Sequence, residues 1–352
     1  MQLVAYGAQD IYLTGSPQIT FFKVVYRRHT NFAMESIQQT FNGSVGASKR
    51  VTCTVSRNGD LVHRMWLEAN VKNTGNANSG HAAIDNVELE IGGQRIDKHY
   101  GDWLQAWSQL TVSEGHLAGY NTMVGTTASN NAQDLYIPLQ FWFCRNPGLA
   151  LPLIALQYHE VKVNLTFGGV TEVNSASLWC DYIYLDTDER RRFAQVSHEY
   201  LIEQLQFTGD ETLSSGLNNV RLNFNHPVKE LVWVAYANNE SLVGGHGYAA
   251  PGSDNMKLQL NGHDRFAARP AAYFNKVQPY QHHTRIGTNV QVYSFALRPE
   301  EHQPSGTCNF SRIDNATLSV SAAAGSTTLK VFAVNYNVLR VMSGMGGLAY
   351  SN

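Results

Sequence analysis

The sequence predicts an all-β chain: a double jelly roll, two eight-stranded antiparallel β-sandwiches in tandem, with short inserted helices. Three observations predict it. The first is a near-repeat. DNVELEIGGQRI at 85–96 returns as DNMKLQLNGHDRF at 254–266. Asp85, Asn86, Leu89 and Gly93 align with Asp254, Asn255, Leu258 and Gly262 at one offset, and one inserted residue then brings Arg95 and Ile96 onto Arg265 and Phe266. Each copy alternates apolar and polar residues, passes a glycine turn and alternates again, as a β-hairpin does. Two copies are too few for a solenoid, so they read as a duplicated domain; the rival reading is chance likeness between two amphipathic hairpins. The second observation is that short alternating runs separated by turn residues fill both halves. The third is size: 352 residues, 43% of them apolar, suffice for two domains that each bury a core.

Composition narrows the function classes. Charged residues make up only 15%, against about 25% in an average soluble domain. Asn, Gln, Ser and Thr carry the polar share, which lowers like-charge repulsion and suits a surface that packs against its own copies. Strands and turns favour Thr, Asn and Gly in any case. A net charge of −2 leaves no basic footprint for nucleic acid. Cys53, Cys144, Cys180 and Cys308 lie far apart without a CxxC, which argues against a zinc site or a disulfide framework and for folding in a reducing compartment. The opening residues lack a basic start and apolar core, so no secretory signal is expected. No run of 18 apolar residues occurs, so no membrane span is expected either.

Residues 1–32 read as an arm, broken by Gly7, Gly15 and Pro17. Its end, FFKVVYRRHTNFA at 21–33, mixes aromatic anchors with Lys23, Arg27, Arg28 and His29. Two readings stand: a segment docking on a neighbour or an anionic surface, and an ordinary first strand with snorkelling cations. The first sandwich occupies 33–186, with strands expected at 33–42, 50–57, 62–71, 84–91, a short one after Gly92 and Gly93, 135–143, 160–167 and 178–186. Between them, Trp103, Leu104, Trp107 and Leu110 fall on one face of a helix over 100–112. Two tryptophans there point to core packing before a sugar platform. Residues 113–133 read as a long polar loop, and RNPGLALPLIAL is kept irregular by Pro147 and Pro152.

A linker helix is expected at 187–197. Asp186 or Thr187 can cap it, Asp188 and Glu189 suit its positive end, and Arg190, Arg191 and Arg192 follow. The second sandwich spans 198–345, with strands expected at 199–208, 219–225, 229–237, 256–261, 264–268, 290–297, 316–322 and 328–342. KELVWVAYA echoes VHRMWLEANV, each placing a Trp in an apolar strand before a long loop and the repeated hairpin. PAAYFNKVQPYQHH at 270–283 stands where the first half has its helix, limited by Pro279. The tail 346–352 is flexible by composition.

No catalytic constellation emerges. GxSxG and GxxxxGK[ST] are absent. His282 and His283 are adjacent and on a strand would face opposite ways, and Glu300, Glu301 and His302 lie on a Pro-bounded turn. No His-x-His occurs, so no metal and no cofactor is expected. Paired carboxylates for glycoside hydrolysis meet only in space and stay open at this stage. Five N-x-[ST] sequons mark candidate glycan acceptors at Asn42, Asn164, Asn239, Asn309 and Asn315, of which Asn239 sits in an expected exposed loop.

Four separated runs are familiar in sequence. FFKVVYRRHTNFA (21–33), LDTDERRRFAQ (185–195), FALRPEEHQPSGTCNFSRIDNATL (295–318) and NYNVLRVMSGMGGLAYSN (335–352) closely resemble the major capsid proteins of nucleocytoplasmic large DNA viruses. The resemblance spans start, middle and end. It implies a non-enzymatic double jelly-roll subunit, assembled in the host cytoplasm into the virion. It further implies a homotrimer of pseudo-hexagonal outline that tiles an icosahedral shell with neighbouring capsomers and minor and penton capsid proteins. Inner viral membrane proteins would lie beneath the shell, and no direct nucleic-acid contact is implied. The arm would lie inside the shell, giving Phe21, Phe22, Tyr26, Arg27 and Arg28 an interface role. Loops 73–80, 113–133, 238–255 and 275–289 would form the outward top. The alternatives are a carbohydrate-binding or carbohydrate-active double jelly roll, for which a signal peptide and disulfides would be more usual, a minor or penton capsid protein, and the capsid protein of a smaller virus such as a virophage.

Overall fold

The computed structural model describes residues 8–9, 16–27, 29–73, 79–125, 129–169, 172–238, 240–242, 247–323 and 325–350. Its first half runs β1 (Phe32–Gln39), β2 (Arg50–Thr54), β3 (Leu61–Asn73), α1 (Ser79–Ala82), β4 (Ile84–Ile91), β5 (Gln94–Tyr100), α2 (Gly101–Thr111), α3 (Glu114–Val124), β6 (Ser129–Pro138), α4 (Trp142–Arg145), β7 (Leu151–Pro152), β8 (Val161–Phe167) and β9 (Glu172–Leu185). Helix α5 (Thr187–Gln195) leads to the second half. There follow β10 (His198–Leu213), β11 (Gly216–Arg221), β12 (Pro227–Tyr236), β13 (Lys257–Leu260), β14 (His263–Asp264), a π-helical turn (Tyr273–Val277) and α6 (Gln278–His282). The chain closes with β15 (Gln291–Ser294), β16 (Cys308–Asn309), β17 (Ala316–Ala322), β18 (Thr327–Met342) and β19 (Met345–Leu348).

Each half is a sandwich of two antiparallel sheets. The first pairs β1-β9-β3-β6 with β2-β8-β4-β5; the second pairs β10-β18-β12-β15 with β11-β17-β13-β14. Position by position the two orders are the same. Period-two alternation fills each core: Val161, Val163, Leu165 and Phe167 of β8 point inward, as do Ala316, Leu318, Val320 and Ala322 of β17. The equivalence extends to irregularities. Short strands β7 and β16 each pair with the start of the following-sheet strand, β3 and β12. A bulge interrupts β3 between Val62 and Met65, and another interrupts β12 between Val228 and Glu230, both opposite the long closing strand.

The repeated hairpin is β4–β5 and β13–β14. Both close by two-residue turns with positive φ at both positions: +58° and +84° at Gly92 and Gly93, +52° and +78° at Asn261 and Gly262. Two details of the sequence alignment change. Arg95 pairs opposite Glu90 and Asp264 pairs opposite Gln259, so no inserted residue follows the second turn. The tryptophans of the two echoing strands are not equivalent either. Trp66 pairs with Trp179 and lies on the outer face, whereas Trp233 lies in the core between its sheets. A one-residue offset in a strand moves a side chain to the other face.

Other expectations are corrected. Residues 113–133 are not one loop: they hold α3 and the start of β6. Helix α3 buries only Val124 and ends on Gly125 in the left-handed region, so its sequence shows no apolar stripe. The strand expected at 135–143 stops at Pro138, and Trp142–Arg145 turn as a helix. Segment 275–289 is α6 followed by a strap, with Arg285 Nε donating to the Gln109 carbonyl at 3.0 Å and Thr288 N to the Gln109 side chain at 2.9 Å. Pro279 sits in the first turn of α6, where its missing N–H is tolerated. The tail through Leu348 is strand β19, paired with β18.

Candidate assembly surfaces

A joint between the halves shows how one sandwich packs on another. The outer face of β10-β18-β12-β15 is covered by the first half, so both faces of β12 are buried: Leu231, Trp233 and Ala235 toward its own core, Val232, Val234 and Tyr236 toward the first half. Helix α2 is the main covering element. Trp103 packs on Phe332 with ring centroids 5.6 Å apart, and Trp107 meets His283 edge-on at 6.2 Å. Both tryptophans are buried, as the helical spacing implied. Asp102, at the positive end of α2, binds Lys330 Nζ at 2.8 Å and accepts from the Tyr236 hydroxyl at 2.5 Å. Strand β5 lies beside β10, with Leu205 N donating to Asp97 at 3.0 Å.

Buried charges lock this joint. Glu203 lies 2.8 Å from both Arg145 and Lys229, and Lys229 is fully buried. Burial pushes the Glu203 carboxyl up, but Arg145, His302 and Lys229 overcome it and hold the group down at about 2. Burial draws Lys229 below the usual lysine range against the pull of Glu203. His283 bridges Glu230 at 2.9 Å and Glu300 at 3.0 Å through opposite ring nitrogens. Burial alone would lower it; the two carboxylates raise it to about 9. These ligands sit on opposite sides of the ring and cannot share a metal. Among the described residues no group of three or more His, Cys, Asp or Glu side chains could hold a metal ion. The four cysteines are unpaired, and burial pushes Cys53 up to about 11 and Cys144 up to about 12, which keeps these thiols unreactive. Among the described residues of this joint no nucleophile, general base and anion site come together.

Among the described residues two apolar surfaces stand open. The arm residues Phe21, Phe22 and Tyr26 are 91%, 97% and 91% exposed, and Arg27 is exposed beside them. Arg28 lies outside the described residues. Among the described residues no element covers these aromatics. The second surface is the outer face of β1-β9-β3-β6, where Trp66 and Trp179 stack with centroids 6.3 Å apart beside exposed Tyr136, Phe32 and Met34. Of the sequons, Asn42, Asn309 and Asn315 are exposed, and Asn239 lies outside the described residues. Asn164 is corrected: it is buried, accepts from Thr52 at 2.8 Å and donates to Glu90 at 3.1 Å, leaving no amide for a glycan.

Comparison with known proteins gives the family of the chain. Residues 20–186 match the family described as major capsid protein N-terminus, and residues 189–347 match the large eukaryotic DNA virus major capsid protein. The chain belongs to the major capsid protein family of large eukaryotic DNA viruses. It is 60% identical to the major capsid protein of Pyramimonas orientalis virus, covering 100% of this chain and 99% of the relative. Identity to the major capsid protein of Paramecium bursaria Chlorella virus 1 is 48%, again over 100% of this chain and 99% of the relative. The alignment to the Pyramimonas virus protein runs over 398 positions, so the relative carries insertions that this chain lacks. The crystal structure of PBCV-1 VP54 matches with a TM-score of 0.85 and 43% identity, covering 95% of this chain and all of that one. The Faustovirus major capsid protein, at 11% identity and a TM-score of 0.78 over 96% of this chain and 94% of its own, shares the fold. A major capsid protein is a structural subunit of the virus shell and not an enzyme, and the carbohydrate-binding alternative finds no support among these relatives.

Sequence reading found the aromatic arm and the α2 tryptophans but missed the joint's charges. One signal was available: Lys229 and Glu230 interrupt the otherwise apolar strand β12 near its start, which is where a buried, paired charge would sit.

Proposed function

We propose that three copies of this chain form a capsomer of pseudo-hexagonal outline, and that such capsomers tile the faces of an icosahedral shell. The identical sheet order of the two halves carries this reading. A threefold block gains six similar corners only if each subunit contributes two alike wedges. The division is an arm at 1–32, a first jelly roll at 33–186, a linker at 187–197, and a second jelly roll from 198 that takes in β19. The arm, through Phe21, Phe22, Tyr26, Arg27 and Arg28, links neighbouring capsomers on the inner side. Minor and penton capsid proteins and inner membrane proteins are the remaining contacts, assembly takes place in the host cytoplasm, and Asn42, Asn309 and Asn315 stay as candidate glycan acceptors.

The test is the solution mass of the purified full chain by light scattering, with particle images from the same sample. One chain is 39.1 kDa. A particle of three chain masses with a hexagonal outline is expected. A particle that stays at one chain mass at every concentration overturns the capsomer reading.

A further inference from the structure

Three Asn–Gly pairs occur in the chain: Asn42–Gly43, Asn58–Gly59 and Asn261–Gly262. An asparagine amide before glycine is open to attack from the backbone, because glycine has no side chain to keep its nitrogen from reaching the amide carbon. The fold holds the three pairs differently. Asn42 is fixed through its backbone, with N donating to the Thr52 carbonyl at 2.7 Å and its own carbonyl accepting from Thr52 N at 3.1 Å. Asn261 is fixed through its side chain, whose Oδ1 accepts from Asp314 N at 3.0 Å and from Asn315 N at 3.3 Å. Asn58 differs from both. It is exposed at a bend between β2 and β3, and among the described residues neither its side chain nor the Gly59 N–H has a hydrogen-bond partner. The flanking residues, by contrast, are clamped. Arg57 donates to the carbonyls of Leu156 at 2.6 Å, Gln157 at 2.8 Å and His159 at 3.2 Å. Asp60 is buried, accepts from Leu185 N at 2.9 Å and binds Arg190 of the linker helix α5 at 3.0 Å.

We infer that Asn58 is a site of spontaneous deamidation in the folded chain, with solvent water as the co-reactant, and that its isoaspartate product strains the clamps on either side. The Gly59 nitrogen attacks Cγ of Asn58. The N–Cγ bond forms, the Cγ–Nδ2 bond breaks, the Gly59 proton passes to solvent and the amide leaves as ammonia. Water then opens the cyclic imide. Cleavage between the nitrogen and Cγ leaves aspartate at position 58. Cleavage between the nitrogen and the main-chain carbonyl carbon leaves isoaspartate, whose backbone runs through the former side chain and is longer by an atom. The packing has no room for that atom. A Cβ on Gly59 would already lie 2.8 Å from Cβ of Tyr182, and the Tyr182 hydroxyl is tied to the Ser56 carbonyl at 2.7 Å. The added length falls between Arg57 and Asp60, so a contact of one of these clamps must give. Refolding does not reverse the change, so it accumulates with the age of a shell subunit.

The test ages the purified full chain at body temperature and mildly alkaline pH. Peptides are then mapped by mass spectrometry with fragmentation that separates aspartate from isoaspartate. Position 58 is expected to lose its amide while Asn42 and Asn261 keep theirs, with isoaspartate among the products. In chain held unfolded by denaturant all three pairs are expected to react alike, which assigns the selection to the fold. The melting temperature of the aged protein is expected to fall in step with the isoaspartate at position 58. An Asn58→Gln variant, which keeps a neutral amide at the position, is expected to hold its melting temperature through the same treatment. An intact Asn58 in aged folded protein, or equal conversion of all three pairs there, overturns the site. Conversion at position 58 with an unchanged melting temperature, or an equal fall in the Asn58→Gln variant, overturns the strain assigned to the product.

Discussion

At the scale of single residues, the least expected feature is the buried charge at the joint. Lys229, Glu203 and Arg145 are a triad whose parts are expensive to bury alone and tolerable only together. Glu203→Gln is expected to strand Lys229 and Arg145 and to cost about 3–5 kcal/mol in denaturant unfolding. An unchanged midpoint would mean that the triad contributes nothing to stability. The pH dependence follows from two groups with opposite signs. Glu203, held at about 2 against an ordinary 4.5, contributes stability that is complete above pH 4.5 and lost as pH falls toward 2. His283, held at about 9 against 6.5, contributes stability that is complete below pH 6.5 and lost as pH rises to 9. The melting temperature should therefore peak between pH 4.5 and 6.5, and a His283→Gln variant should show a flatter decline from 6.5 to 9. Trp233 is a simpler case. It is fully buried, with Nε1 donating to Gln291 at 2.7 Å. Trp233→Lys is expected to cost upwards of about 4 kcal/mol and to abolish cooperative melting of the second half, measured by differential scanning calorimetry.

Among the elements, the two hairpin turns offer a controlled comparison. Gly92 and Asn261 share a left-handed conformation, so the turn itself accepts Gly or Asn at this position. The surroundings differ: a Cβ at Gly92 would meet the His159 ring at 2.3 Å, whereas one at Gly93 meets nothing within 4 Å. Gly93→Ala is expected to cost about 1 kcal/mol from backbone strain alone, and Gly92→Ala clearly more. Equal losses in thermal melts would remove the role assigned to His159. The arm is the other element with a separable role. Removing residues 1–30 is expected to leave trimers at the mass of the full protein's trimer, less the missing arms, while shell assembly followed by turbidity and electron microscopy weakens. Normal assembly of the truncated protein would discard the arm's role. Helix α3 shows the limit of pattern reading. A helix that buries one residue carries no stripe, and its polar, Gly-containing sequence reads as loop.

For the whole molecule, the consequence of duplication is a pair of wedges that are alike in topology and unlike in surface. Strand β12 has become apolar on both faces because the first half covers it permanently, and its run ELVWVAY has no alternation left. Strand β3 keeps a mixed outer face, with Trp66, Glu68 and Asn70 alternating with buried Met65, Leu67 and Ala69, because that face stays largely open among the described residues. Obligate joints within a chain are drier than surfaces that must also stay soluble before they meet a partner. This contrast predicts that replacing β12's outward Val234 by Glu disrupts folding of the monomer. Changing Ser177, at the equivalent face of the first half, to Glu should leave the chain folded, as read by melting temperature.

The sequence by itself determined the fold class, the duplication, the place of α2 and the absence of a recognisable catalytic motif, since these depend on local periodicity and turn chemistry. The tertiary structure decided the rest. It set which face each tryptophan occupies, because one residue of register reverses a strand. It made Asn164 a buried hydrogen-bonding residue, because Glu90 and Thr52, 74 and 112 residues away, supply its partners, and it set the tail as strand β19 by pairing it with β18 and bringing Gly346 onto His159. It also assembled the Arg145, Glu203 and Lys229 triad from both halves of the chain, a pairing that no spacing encodes, because charges far apart in sequence find one another only after the sandwiches have packed.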